Sequence, residues 1–317
     1  MPLRVVGVLI LNTLAPVFLL IAIGAVMQRT GFVTAGFLRE ANRVTYWLGL
    51  PALLFSQLAG SVHEAGGAKL MLGVMLAAMA LVVIAGYLVG WGIRVPGSAL
   101  GTFVQAVARG NLAFVGLPII YSLPDTTLVS GLSARAAAVI VVAPMMVVYN
   151  FVSIVVLLLS QHPLSFRIAV PFLKQLATTP PLLATLAGLL FAAMGWTLPP
   201  AVDKTFTALG EMALPLGLLG VGGAMITVKL GATWRMPLAA ALVKTLLSPL
   251  LGWMIGRAVG LGATELKMVM ILMATPTAVV SYTVALELKG DEGLAAGAIV
   301  LSVLTSVVTL AVIVGAF

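Results

Sequence analysis

The chain has 317 residues, of which 62% are hydrophobic and 8% are charged, and its mean hydropathy is +1.19. A soluble protein carries about 25% charged residues, so this composition excludes a water-soluble enzyme and indicates an integral membrane protein. The 17 Lys and Arg and the 9 Asp and Glu form no basic run of the kind that binds nucleic acid. Because the chain has no cysteine and only two histidines, His63 and His162, we expect no metal site and no cofactor.

Ten apolar segments follow one another along the chain, each long enough to cross a membrane, for which about 20 mostly apolar residues are needed. Their apolar runs are continuous, which predicts helices, whereas the strands of a membrane barrel alternate apolar and polar residues. The short connections hold most of the charges, so we expect one polytopic domain. The predicted spans cover roughly 5–27, 38–59, 69–92, 98–122, 133–159, 172–195, 207–227, 236–260, 264–286 and 293–316.

The two halves of the chain, 1–160 and 165–317, each hold five predicted spans. Because five is an odd number, the second half is inverted relative to the first, and the pair forms an inverted-topology repeat. Ten spans also put both termini on one side. Nine Lys and Arg fall on the opposite side and six on the side of the termini. Since positive residues are enriched on the cytoplasmic side, we predict both termini outside.

Matching interruptions occur in the two predicted repeats. Span 2 contains Pro51 and span 7 contains Pro215, while span 4 is interrupted at 109–118 and span 9 at 274–278. Proline removes an N–H and clashes with the carbonyl four residues back, and interrupted helices survive in lipid only where they face protein or a watery cavity. Paired breaks therefore indicate a transport site near the middle of the membrane. The alternative is that these prolines are ordinary kinks.

An ordered set of motifs runs from the first span to the last. It comprises Asn42-Arg43, Leu50-Pro51-Ala52-Leu53-Leu54-Phe55, Arg109-Gly110-Asn111-Leu112-Ala113-Phe114-Val115-Gly116-Leu117-Pro118, Lys244 with Pro249, Pro276 with Ser281-Tyr282, Gly290-Asp291 and Leu301-Ser302. In these motifs and their order, the chain resembles the auxin efflux carrier (PIN-like) transporter family. Its compact length resembles that of a bacterial member.

The resemblance implies a fold shared with sodium/bile-acid symporters. Spans 1, 2, 6 and 7 would form a scaffold, and spans 3–5 and 8–10 a transport domain in which broken helices 4 and 9 cross. It also implies small organic anions as substrates, elevator-type alternating access and a homodimer through the scaffold. In a bacterial inner membrane, the outside placement predicted from the Lys and Arg distribution makes both termini periplasmic. PIN carriers have a serine near the substrate where this chain has Leu54, so the acid stays open among auxin-like compounds, malonate and malate.

The candidate substrate-binding residues lie at the two interruptions and in two neighbouring spans. The guanidinium of Arg109 offers a fork for a carboxylate, or it pairs with a backbone carbonyl. The amide of Asn111 could bind the anion or cap a helix, and Lys244 could hold the anion or cap carbonyl groups. The set is Arg109, Asn111, Pro118, Asn150, Lys244, Thr275, Pro276 and Thr277.

Three hydroxyls, those of Thr275, Ser281 and Thr283, are candidate ligands for a coupling sodium ion, because neutral oxygens suffice to bind it. They could equally make contacts between helices. A proton is the less expected coupling ion, since the spans hold almost no buried acid or histidine. The competing classes are a sodium-coupled organic-acid symporter, a channel and an intramembrane enzyme. An enzyme would need an acid pair, a metal-binding set or an activated serine within the membrane. The predicted spans show none of these, so we expect no enzymatic activity.

Overall fold

The computed structural model describes residues 3–59, 68–121, 123, 128–129, 132–161, 174, 178–227 and 234–316. Both histidines, His63 and His162, lie outside the described residues, as do Arg167 and Lys229, two of the cations used for the topology prediction. Within the described ranges the chain is almost entirely helical, with one small antiparallel ribbon of two-residue strands, β1 (Leu128–Val129) and β2 (Leu132–Ser133).

The helices are numbered in chain order. They are α1 (Leu3–Arg29), α2 (Ala35–Val44), α3 (Leu50–Ala59), α4 (Lys69–Gly92), α5 (Gly97–Ala108), α6 (Leu117–Tyr121), α7 (Ala134–Gln161), α8 (Pro180–Ala193), α9 (Pro200–Glu211), α10 (Ala213–Thr227), α11 (Arg235–Leu242), α12 (Ser248–Ala258), α13 (Ala263–Ala274), α14 (Val280–Glu287) and α15 (Glu292–Ala316).

Five helical segments among the described residues are long and apolar enough to cross a membrane. They are Lys69–Gly92, Ile140–Gln161, Pro200–Ala224, Arg235–Ala258 and Glu292–Ala316. Four further apolar helices are shorter, namely Ala15–Arg29, Gly97–Ala108, Leu112–Tyr121 and Pro180–Ala193. The described residues are thus predominantly helical, and several of their helices are apolar enough to lie in a membrane.

The seventh predicted span begins earlier than the sequence indicated. Hydropathy gave a start near 207, but the helix begins at Pro200. The first turn contains Asp203, followed by Lys204, and these charges lower the local hydropathy without preventing a helix. Proline is favoured at the first helical position, and an acid in the first turn interacts well with the helix dipole, so this end is helical although it is polar.

Three wide π-helical turns each lie just before a proline. In each turn a backbone N–H donates to the carbonyl five residues earlier, and the next residue is Pro51, Pro118 or Pro249. A proline ring collides with the carbonyl four residues back in a regular helix. The wider turn moves that carbonyl aside, so the helix continues through the proline. The turns are Thr45–Gly49, Leu112–Gly116 and Val243–Leu247.

Two pairs of helices pack closely, α1 along α10 and α3 along α8. The first pair is brought together by glycines on both sides. A Cβ on Gly24 would collide with the carbonyl oxygen of Leu219, and a Cβ on Gly222 would collide with that of Ile21. Small residues allow such close approach of helices in a membrane protein.

Among the described residues, the longest uninterrupted buried stretches lie in α5 and at the end of α13, with the residues that follow each helix. Residues 101–112 and 271–279 are buried without exception. The core around them is apolar, formed by residues such as Phe103, Ile119 and Leu272. The polar residues in these two stretches are therefore held at the centre of the fold.

Candidate functional site

Two short non-helical segments meet at the centre of the molecule. Helical structure stops after Ala108 and resumes at Leu112, and it stops again after Ala274 and resumes at Val280. We refer to 109–111 as the first crossing segment and to 275–279 as the second crossing segment.

The two crossing segments pair antiparallel. Gly110 lies opposite Thr277. The N–H of Asn111 donates to the carbonyl of Pro276 at 2.8 Å, and the N–H of Ala278 donates to the carbonyl of Arg109 at 3.0 Å. Buried backbone groups need hydrogen-bond partners, and each segment supplies those that the other lacks. The pairing brings together residues that are more than 160 positions apart in the chain, as the ladder partners Gly110 and Thr277 show.

A small cavity of about 40 Å³ lies beside the first crossing segment, with room for only a few water molecules. Four of its lining residues carry polar side chains, namely Arg109, Asn111, Tyr149 and Asn150. Much of the remaining wall is apolar and includes Leu53, Leu54, Phe114, Met146, Ala278 and Val280.

Arg109 is the charged residue of this cavity. Its side chain is buried, and its Nη2 donates to Oδ1 of Asn150. Among the described residues the ion pair found is Arg43 with Glu40, on the surface, so Arg109 has no carboxylate partner there. A guanidinium has five N–H donors, and a buried charge without a counter-charge is costly. Arg109 is therefore suited to receive an anion.

Asn111 lines the cavity and also begins a helix. Its Oδ1 accepts from the N–H of Phe114 at 3.3 Å, which makes it the N-cap of the helical stretch that begins at Leu112. The cap uses the amide oxygen and leaves the amide N–H groups as donors. The positive end of a helix dipole lies at this N-terminus. Asn111 can therefore cap the helix and still donate to an anion in the cavity, so both roles are compatible with this geometry.

The second crossing segment has its hydroxyls directed at the backbone. Thr275 donates to the carbonyl of Leu272 at 2.7 Å, and Thr277 donates to that of Ala106 at 2.8 Å. The N–H of Thr277 donates to Oγ of Ser302 at 2.9 Å. Thr275, Pro276 and Thr277 thus lie against the first crossing segment but do not line the cavity.

Lys244 is buried within a π-helical turn, and its Nζ donates to the carbonyl of Met273 at 2.6 Å. This carbonyl is at the C-terminus of α13, where helix carbonyls lack partners and a cation is favoured. Lys244 approaches the first crossing segment, since a Cβ on Gly110 would lie 3.2 Å from its Nζ. It does not line the cavity. Of the two roles considered, holding the anion or capping carbonyl groups, the structure shows Lys244 capping the carbonyl of Met273.

Pro118 is not brought into the site. It is exposed in α6, and the cavity is lined by residues nearer the first crossing segment. The sequence predicts Pro118 as a site residue because proline interrupts a regular helix. The helix instead stops at 109–111 and passes through Pro118 by way of the preceding π turn, so a role of Pro118 in substrate binding stays a prediction.

The three hydroxyls considered as sodium ligands have different surroundings. Thr275 faces the backbone of its own helix, and Thr283 donates to Oδ1 of Asn42 in α2 at 2.9 Å. Oγ of Ser281 is buried and has no hydrogen-bond partner among the described residues. Hence the structure brings Thr283 to Asn42 but does not gather the three hydroxyls around one point.

Sequence reasoning missed Thr185, which is completely buried in α8. Its Oγ1 accepts from Nδ2 of Asn150 at 3.1 Å and donates to the carbonyl of Pro181 at 2.7 Å. The only sign of it in the sequence is a hydroxyl residue within an apolar run. Asn150 thus contacts Arg109 on one side and Thr185 on the other.

A comparison with protein families finds one match that covers nearly the whole chain. The family model described as Membrane transport protein matches residues 9–314. No curated protein matches the chain. The matched region contains both crossing segments and all the residues that line the cavity.

Proposed function

Because the chain belongs to the membrane transport protein family, that of the auxin efflux (PIN-like) carriers, we propose that it is a secondary carrier of small organic anions. The substrate would be a carboxylate, bound beside the first crossing segment and moved by elevator-type alternating access. Membership of a transporter family also favours transport over catalysis.

The proposed architecture has ten spans in two inverted repeats, 1–160 and 165–317. Spans 1, 2, 6 and 7 form a scaffold that includes α1, α3, α8 and α10. If spans 1–5 correspond to spans 6–10, the contact of α1 with α10 is equivalent to that of α8 with α3. The contact of α1 with α15 is likewise equivalent to that of α8 with α7. All four of these helix contacts occur, which supports the repeat and the division into scaffold and transport helices.

The single observation that carries the proposal is the buried guanidinium of Arg109 in a cavity, with an amide as its partner and no carboxylate among the described residues. A carboxylate could accept two parallel hydrogen bonds from it. Asn111 adds amide donors, and the helix that it caps adds a positive dipole end. These three features favour a negatively charged group at one place.

The walls of the cavity come from both sets of helices, which supports alternating access. Arg109 and Asn111 belong to the proposed transport helices, whereas Leu53 and Leu54 belong to α3 of the scaffold. Sliding of one set along the other would change the size of a cavity that now measures about 40 Å³. The apolar wall suits the hydrocarbon part of a small acid.

A coupling ion is not needed for export. The membrane potential alone drives a monoanion outward with about 2.3 kcal/mol per 100 mV. A sodium-coupled symporter of an organic acid is the second candidate, favoured by the buried Oγ of Ser281, which lacks a partner among the described residues. The proposal further includes a homodimer through the scaffold and a place in the bacterial inner membrane with both termini outside.

Counterflow in proteoliposomes tests the proposal. Vesicles are loaded with unlabelled mono- and dicarboxylates, and trace labelled malonate or indole-acetate is supplied outside. We expect accumulation with a matching acid and its loss in Asn111→Ala. The control is Gln161→Ala, which removes an amide that contacts Ser98 far from the cavity. A dependence of the uptake on sodium would favour the symporter.

The outcome that would contradict the proposal is a folded protein with which no acid in the panel gives counterflow. Uptake without saturation or counterflow would instead indicate a channel.

A further inference from the structure

Asn150 connects the charged group of the cavity to a helix of the proposed scaffold. Its Oδ1 accepts from Arg109, and its Nδ2 donates to Oγ1 of Thr185 in α8 at 3.1 Å. Arg109 and Asn150 belong to the proposed transport helices. The exposed fractions are 6% for Arg109, 2% for Asn150 and 0% for Thr185, so all three side chains are shielded from bulk water.

The direction of each hydrogen bond in this chain follows from chemistry. Arg109 can only donate, so the atom of Asn150 that faces it must be the oxygen. The nitrogen of the amide therefore faces Thr185. The hydroxyl hydrogen of Thr185 is directed at the carbonyl of Pro181 at 2.7 Å, which leaves its oxygen to accept from Asn150. The oxygen of Asn150 thus faces a donor and its nitrogen faces an acceptor, and this fixes the orientation of the amide.

The two bonds of Asn150 reinforce each other. A cation at its oxygen polarises the amide and strengthens the N–H donors. A substrate carboxylate that takes the guanidinium of Arg109 competes with the oxygen of Asn150, because it is the stronger acceptor. The amide then loses its partner on the cavity side, and its bond to Thr185 becomes weaker.

We propose that Thr185 is a positioning residue that acts through Asn150. It holds Arg109 in place in the empty carrier, and it ties the transport helices to the scaffold until an anion occupies Arg109. The inference rests on the proposed function. Its consequence is that the loaded carrier changes orientation more readily than the empty one, so exchange of one anion for another is faster than net transport.

The test compares Thr185→Val, which keeps the shape but cannot accept from Asn150, with Thr185→Ser, which keeps the hydroxyl. Efflux of labelled malonate from proteoliposomes is measured into medium with malonate, which gives exchange, and into medium without it, which gives net efflux. In Thr185→Val we expect the ratio of net efflux to exchange to rise about fivefold, the factor that corresponds to about 1 kcal/mol for one hydrogen bond. Thr185→Ser should restore the ratio of the natural protein.

The control is Thr205→Val. The hydroxyl of Thr205 also donates to a carbonyl four residues back, that of Ala201 at 2.8 Å, but on the exposed surface of α9. Its ratio should not change. A ratio that is unchanged in Thr185→Val, or exchange and net efflux that fall in proportion in both Thr185 variants, would overturn the inference.

A second measurement keeps the inference testable if the protein carries no malonate. The chain has no cysteine, so Leu54→Cys places a single thiol on the scaffold wall of the cavity. We expect a maleimide to react severalfold faster with this thiol when Thr185→Val is also present, because the two helix sets separate more often. An equal rate of maleimide reaction with and without Thr185→Val would refute the proposed link between the transport helices and the scaffold. Absence of exchange with every acid would refute the proposed function alone.

Discussion

The first and second crossing segments have the same backbone role but use their side chains differently. Each donates one backbone hydrogen bond to the other: the N–H of Asn111 to the carbonyl of Pro276, and the N–H of Ala278 to the carbonyl of Arg109. The first segment directs Arg109 and Asn111 to the cavity, whereas the second directs the hydroxyls of Thr275 and Thr277 to carbonyl groups. Both segments thus need the same backbone pairing, but of the two only the first presents polar side chains to the cavity among the described residues.

Arg109 and Lys244, the two buried cations among the described residues, also differ in their partners. Lys244 interacts with the carbonyl of Met273 at the end of α13, a partner that belongs to the fold. Arg109 interacts with the amide of Asn150, a neutral partner that an anion can replace. We therefore expect changes at Arg109 to affect transport and changes at Lys244 to affect stability.

Of the four substitutions that test this comparison, Arg109→Gln should have the largest effect. Hydrogen bonds to a charged group contribute about 1.5–3 kcal/mol, and each 1.4 kcal/mol is about a tenfold change in affinity. Counterflow of malonate should fall at least about tenfold on this basis. Arg109→Lys keeps the charge but not the forked pair of donors, so its counterflow should lie between those of the natural protein and Arg109→Gln. Counterflow equal to that of the natural protein would show that the anion does not bind at Arg109.

Gly110→Ala should disturb both crossing segments. The added Cβ would lie 2.5 Å from Oγ1 of Thr275 and 3.2 Å from Nζ of Lys244, so the segments must move apart. Overpacking of this kind costs about 1–3 kcal/mol, which should appear as a lower Tm together with weaker counterflow. Gly73→Ala is the control, because nothing lies within 4 Å of that position. An unchanged Tm in Gly110→Ala would contradict the close crossing.

Lys244→Met should lower the Tm by a smaller amount, because the carbonyl of Met273 loses its partner while the cost of burying a charge is removed as well. Counterflow per folded molecule should stay within about twofold, since no donor to the substrate is lost. If Lys244→Met abolishes counterflow but keeps the Tm, Lys244 binds the anion, and the contrast between Arg109 and Lys244 is wrong.

Thr277→Val should have the smallest effect. It removes the hydrogen bond to the carbonyl of Ala106, which joins the two halves of the chain, and one such bond contributes about 1 kcal/mol. Thr277→Ser should recover the Tm. Thr309→Val is the matched control, because the hydroxyl of Thr309 bonds only within its own helix, to Thr305. Equal losses of Tm in Thr277→Val and Thr309→Val would argue against a special role for this contact.

The polar residues that line the cavity could be named from the sequence because charged and amide side chains, like proline, stand out in apolar segments. Arg109, Asn111 and Asn150 were selected for this reason, and they line the cavity together. Pro118 was selected on the same reasoning and lies elsewhere, since a π turn allows a helix to pass through a proline. Proline alone therefore does not mark where a helix stops.

The remaining contacts depend on packing that no local pattern encodes. Thr185 is 35 positions from Asn150, and Lys244 is 29 positions from the carbonyl that it caps. Both look like isolated polar residues in apolar segments. Their partners are set by which helices pack together, and neither hydropathy nor spacing within one span determines that.

The most direct test of the claim that the anion binds at the first crossing segment is a thermal shift with malonate. A ligand that binds only the folded protein raises its stability, by about 2.7 kcal/mol at a hundred times its Kd. We predict that malonate raises the Tm of the natural protein and of Lys244→Met, and raises the Tm of Arg109→Gln much less. An equal rise in Arg109→Gln, or a rise that is lost in Lys244→Met alone, would contradict the claim.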